Sequence, residues 1–118
     1  MVGGQCLVWR EAVRNKIHSK HYKDEAGNPE GGTTYGIGFS IGWQHGPLGR
    51  GMDRQEPNGA FVEDIIAAAM DRLEFYQNSR FPYAENDEAL AHLIQALRSL
   101  EKRTAGRERR GVEGMYKE

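Results

Sequence analysis

The sequence predicts an α+β protomer: a small antiparallel β-sheet followed by a C-terminal antiparallel two-helix hairpin. Two patterns carry this. Residues 33–44, TTYGIGFSIGWQ, alternate strictly, with Tyr35, Ile37, Phe39, Ile41 and Trp43 on one face and Gly36, Gly38, Ser40, Gly42 and Gln44 on the other, which is the period of a strand. Two later stretches carry apolar stripes at helical spacing: Val62, Ile65, Ile66, Ala69, Met70, Leu73 and either Tyr76 or Gln77 within residues 58–78, and Leu90, Leu93, Ile94, Leu97 and Leu100 within residues 86–105. The short link Ser79–Glu85 carries Pro82 and makes the two helices antiparallel neighbours. The chain is read as a single domain over residues 1–118, with an N-terminal segment at 1–32, a strand and Gly-rich loop at 33–57, and a helical hairpin at 58–114.

The 118 residues suffice for one modest core, and a net charge of −1 gives no general pull toward nucleic acid or anionic membrane. The charge is uneven. Residues 101–110 hold five bases and two acids, whereas residues 56–75 hold five acids and one base, Arg72. The lone Cys6 points to a reducing compartment, and no stretch reads as a signal peptide or a membrane span, so the expected location is the cytoplasm.

In chain order, Trp9, Val13 and Ile17 at four-residue spacing predict an amphipathic helix over residues 5–22. His18 and His21 lie three apart, but without a third ligand they are a weak metal signal, and no metal or other cofactor is expected. Residues 24–33 are turn chemistry throughout. The strand over 33–44 needs a partner from residues 1–9, from residues 48–55 or from another copy. Its glycine face fits either close approach by a ligand or backbone, or a twisted strand. Residues 45–57 form a loop in which Arg50, between Gly49 and Gly51, offers an anion a guanidinium and backbone N–H groups; the Gly-Lys-Ser/Thr ending of a Walker loop is missing.

The second helix opens on Glu85, Asp87 and Glu88 around Asn86 as a cap, and closes on Lys102, Arg103, Arg107, Arg109 and Arg110. Acid first and base last suit the helix dipole. Arg103, Arg107 and Arg110 share one helical face, where guanidinium groups can hold a pyrophosphate; the alternative is a solvated helix end. Tyr76 and Asn86 sit at the link, at the opposite end from Arg103. Seventeen residues separate Asn86 from Arg103, about 25 Å along a helix. A pocket using both ends therefore needs a second subunit.

From residue 72 onward the text becomes specific. Arg72-Leu73-Glu74-Phe75-Tyr76-Gln77, Glu85-Asn86, Ala89-Leu90, Leu97, Leu100-Glu101, Arg103-Thr104, Arg107 and Arg110-Gly111-Val112-Glu113-Gly114 follow in order, preceded by Trp43-Gln44-His45-Gly46-Pro47 and Asn58-Gly59-Ala60-Phe61-Val62-Glu63-Asp64. This series resembles the phage Thoeris anti-defence proteins of the first-described type, over roughly residues 37–114. The resemblance implies a sponge in the cytoplasm of an infected bacterium. Such proteins capture cyclic ADP-ribose isomers made by TIR-domain enzymes and do not degrade them, and some also hold cyclic di- or trinucleotides. It further implies self-association to a dimer or hexamer. The ligand-binding roles it implies fall on Tyr76 as the stacking aromatic, Asn86 as a polar contact, and Arg103 and Arg107 as phosphate ligands; Arg110, from its helical face, and Arg50, from its loop, are further cationic candidates. No catalytic residue is implied.

Two other classes compete. A small phosphate-ester enzyme would have to use Glu63 and Asp64 with His45 or His92, a set without nucleophile or paired-carboxylate spacing. A nucleic-acid-binding phage regulator would use the arginine face of residues 98–110, against the net charge of −1 and the acidic helix before it.

Overall fold

Three short strands precede the helices in the computed structural model, which describes Trp9 and residues 13–109. They are β1 (His18–Lys23), β2 (Pro29–Gly36) and β3 (Phe39–Gly42), antiparallel in the order β1-β2-β3. A one-turn 3-10 helix (Gly51–Asp53) follows, then α1 (Val62–Gln77) and α2 (Ala84–Arg109). The α+β layout is the one expected. The chain forms two compact units: Met1–Gly46 with Pro57–Gly59, and Pro47–Glu56 with Ala60–Glu118.

The first unit corrects the N-terminal reading. Trp9 is helical, residues 5–8 and 10–12 lie outside the described residues, and residues 13–22 are not a helix: 13–17 are irregular and His18–Lys23 is a strand. Three apolar positions make a thin helical stripe, and cross-strand pairing overrides it. His18 lies opposite Tyr35, their rings stacked at 5.3 Å, and the Ser19 and Thr34 hydroxyls hydrogen-bond at 3.0 Å. The expected loop at 24–33 shrinks to Asp24–Asn28, because β2 begins at Pro29. Asp24 organises that turn. Its carboxylate accepts from the Asn28 backbone N–H (2.9 Å) and the Asn28 Nδ2 (3.0 Å), which holds its pKa below the ordinary value.

The expected single strand at 33–44 is two strands folded back at Ile37-Gly38, with Gly36 opposite Phe39. Gly38 has φ +89°, the left-handed value that the third position of a type II turn demands. The turn also reverses side-chain parity. Tyr35, opposite Ser40, lies on the other face of the sheet from Phe39 and Ile41. The glycine face thus has an internal explanation at Gly36, where a Cβ would stand 2.7 Å from the Phe39 ring. Among the described residues the partner strand is β1, a segment expected to be helical.

In the second unit, the Leu48 carbonyl accepts from the Gln55 N–H at 2.8 Å, closing the loop around the 3-10 turn. α1 starts with Asp64 Oδ2 accepting the Phe61 N–H at 3.0 Å, which satisfies an orphan donor of the first turn. Ile66, Met70, Leu73 and Gln77 are half-buried on one face of α1. Asn86, Ala89, Leu90, Leu93, Leu97, Leu100, Thr104 and Arg107 are half-buried along α2. Ile94, expected in that stripe, is exposed. The helices pack on each other antiparallel, and an ion pair from Arg103 near the end of α2 to Glu63 in the first turn of α1 joins their far ends. Among the described residues no apolar side chain is fully buried, while Val62, Phe75, Phe81 and Tyr83 are each at least half exposed. Also among the described residues, no helix is long and apolar enough to cross a membrane.

Candidate functional site

The hairpin presents its candidate side chains at two ends. At the link end, Gln77 is the organiser. Its Nε2 donates to the Tyr83 carbonyl (2.9 Å), and its Oε1 accepts from the Tyr83 N–H (3.0 Å) and from Asn86 Nδ2 (2.9 Å). Residues six and nine apart are thereby locked to one amide. Asn86 is not the helix cap expected of it, because α2 already begins at Ala84. Its side chain is aimed back at α1, with one more amide hydrogen and its carbonyl oxygen still to offer.

Tyr76 could have belonged to the apolar stripe of α1. Gln77 takes that place, and Tyr76 stays 40% exposed. Its ring lies 6.2 Å from that of Phe75, tilted by 58°. The Arg72 guanidinium sits over both, 4.9 Å from the Phe75 centroid and 5.0 Å from that of Tyr76. Sequence reasoning gave Arg72 no role and weighed Gln77 only as the alternative to Tyr76 in the apolar stripe. The signal was present for Arg72, since residues three and four further along a helix share its face.

At the opposite end, Arg103 is exposed and its guanidinium donates to Glu63 Oε2 at 3.2 Å. Arg107 lies one turn on and is half-buried. Arg103 stands clear of the apolar stripe, whereas Arg107 continues the line of Leu100 and Thr104. Arg110 lies outside the described residues. Arg50 is exposed, with extended backbone at the entry to the 3-10 turn. The structure therefore brings Tyr76 and Asn86 to one end of the hairpin and Arg103 and Arg107 to the other.

The acids and histidines weighed for catalysis have structural contacts. Asp64 caps α1, Glu63 holds Arg103, and His92 lies 3.9 Å from Glu88 one turn away. His45 belongs to a clasp in the first unit. Its N–H donates to Asn58 Oδ1 (2.8 Å), its carbonyl accepts from Asn58 Nδ2 (3.0 Å), and its ring meets Glu30 at 3.1 Å. Gln44 Oε1 accepts the Asn58 N–H at 2.9 Å and completes it. The Trp-Gln-His-Gly-Pro and Asn-Gly motifs meet here.

A small antiparallel sheet followed by a helical hairpin, with an exposed aromatic near the link and two arginines one turn apart at the far end, defines the class of this α+β protein. The family described as "Acb2/Tad1, hairpin domain" matches residues 36–105, and this chain belongs to it. The chain is also 43% identical over 77 residues to "Thoeris anti-defense 1" of Bacillus phage SBSphiJ7, a match covering 65% of this chain and 51% of that protein. The chain thus spans about half the length of the curated relative it matches.

Proposed function

We propose that this chain is a phage anti-defence protein that binds and holds cyclic ADP-ribose-type signalling molecules without cleaving them, in the host cytoplasm. The observation that carries the proposal is the side-chain set on a hairpin of this family: an exposed Tyr76 ring, an Asn86 amide positioned by Gln77, and Arg103 and Arg107 one turn apart. A cyclised ADP-ribose offers adenine to an aromatic face, hydroxyls and ring nitrogens to an amide, and a pyrophosphate to guanidinium groups. The relative's name supports the anti-defence role.

The two ends of one hairpin are too far apart to share a ligand, so the pocket joins the link end of one copy to the arginine end of another. The lack of fully buried apolar side chains among the described residues supports such an assembly, as a dimer or a hexamer. Arg110 and Arg50 are further cationic candidates, and a cyclic di- or trinucleotide is a second ligand class.

The test incubates the purified protein with a panel of cyclic nucleotides, removes the unbound material, denatures the protein by heat and identifies what is released. The proposal expects an intact cyclic ADP-ribose isomer. Release of a linear product would show cleavage and overturn it. Binding of duplex DNA instead, weakening steeply with salt, would favour a nucleic-acid regulator.

A further inference from the structure

We infer that Arg72 is a positioning residue of the ligand site, acting through the Tyr76 ring by covering one of its faces and leaving the other for the base. The inference rests on the reading that Tyr76 stacks on adenine.

The sequence puts Arg72 where it has little else to do. On a helix its neighbours are at three and four residues either way, and these are Ala68 and Ala69 on one side, Phe75 and Tyr76 on the other. No acid stands at helical pairing distance, although residues 56–75 hold five. The structure agrees: the contacts recorded for the Arg72 guanidinium are the two rings, at 4.9 and 5.0 Å. The ion pairs seen among the described residues involve other cations.

A guanidinium over a ring is attracted to its negative face, and it restricts the rotamers of both partners. Phe75 stands beside Tyr76, its ring 6.2 Å away and tilted by 58°, and shares the same guanidinium. Tyr76 is consequently a ring with one face occupied, and part of the entropy of fixing it is lost before a ligand arrives. The cation also draws electron density from the covered face. The uncovered face is then less negative, which suits stacking against an electron-rich purine. Arg72 itself need not touch the ligand.

A double-mutant cycle separates this from a role in helix stability alone. Arg72→Met, Arg72→Lys, Tyr76→Ala and the Arg72→Met/Tyr76→Ala double variant are each titrated calorimetrically with purified cyclic ADP-ribose isomers and linear ADP-ribose. Thermal melts are recorded without ligand. The expected result is a loss of about 2- to 5-fold for Arg72→Met, the size of an exposed cation–π contact, with partial recovery for Arg72→Lys. In the Tyr76→Ala background Arg72→Met should cost nothing further, because the ring it acts through is gone. A purely structural role would lower the melting temperature and leave affinity unchanged. Affinity equal to the parent in Arg72→Met overturns this inference and leaves the proposed function standing. Equal, additive losses in both backgrounds overturn it too, since Arg72 would then contact the ligand directly. A parent protein that binds none of the probes overturns the proposed function and this inference with it.

Discussion

The Arg103–Glu63 ion pair sets a competition that can be measured. For Arg103 to grip a phosphate, its guanidinium must leave or share the Glu63 carboxylate, 3.2 Å away. The two side chains are 59% and 34% exposed, so the pair lies in the solvent-screened class, worth about 0.2–1 kcal/mol. Replacing Glu63 with Gln removes that rival charge. Affinity for cyclic ADP-ribose isomers should rise by about 1.4- to 5-fold, the same energy expressed as a ratio. Glu63 also lies in the first turn of α1, where its charge favours the helix dipole. The ligand-free variant should therefore melt slightly lower even as it binds more tightly. Calorimetric titration at low and high salt is the assay, and the gain should shrink as salt screens the pair. A several-fold loss of affinity would refute the exchange: Glu63 would then be an acceptor for a ligand hydroxyl.

Four further outcomes are expected. Tyr76→Ala should weaken ligand binding far more than Tyr76→Phe in the same titration, because stacking needs the ring; equal losses would assign the role to the hydroxyl. Arg103→Ala and Arg107→Ala should each lower affinity about 10- to 100-fold, with incomplete rescue by lysine; melts should show Arg103→Ala close to the parent and the half-buried Arg107 costing more. Light scattering at micromolar concentration should give at least a dimer, and a monomer that still binds ligand would refute the shared pocket. The Asp24 turn should weaken in acid. A carboxylate whose folded pKa is lowered contributes stability above its unfolded value near 3.8, and this is lost as pH falls through the folded value. Circular dichroism of Asp24→Asn against the parent, from pH 6 to pH 2, should show the parent losing an advantage that the variant never had.

The helical hairpin was legible because its stripes repeat over many turns. The sheet was legible in kind but not in layout. A two-residue turn at Ile37-Gly38 leaves the alternation of odd positions unbroken in the text, while in space it sends Tyr35 to the opposite face from Phe39 and Ile41. β1 was hidden because the spacing of Trp9, Val13 and Ile17 carries a helical pattern up to its first residue, whereas its pairing partners lie up to seventeen residues away. Of the site, the aromatic, the amide and the arginines were marked by the family resemblance. The Arg72 contacts follow from helical spacing. The Glu63–Arg103 pair spans forty residues and becomes visible only once the hairpin closes.

The Asn58 clasp has a consequence for what the chain can tolerate. Gln44 and His45 grip Asn58 with three hydrogen bonds, so the twelve residues between His45 and Asn58 leave and re-enter the fold at one tied point. With its ends tied, lengthening such a loop is cheap: a doubling costs only about 0.6 kcal/mol in closure entropy. Arg50 rides on that loop. The segment is accordingly a natural graft point, where loop residues can be exchanged or a reporter peptide inserted while the three hydrogen bonds to Asn58 stay tied.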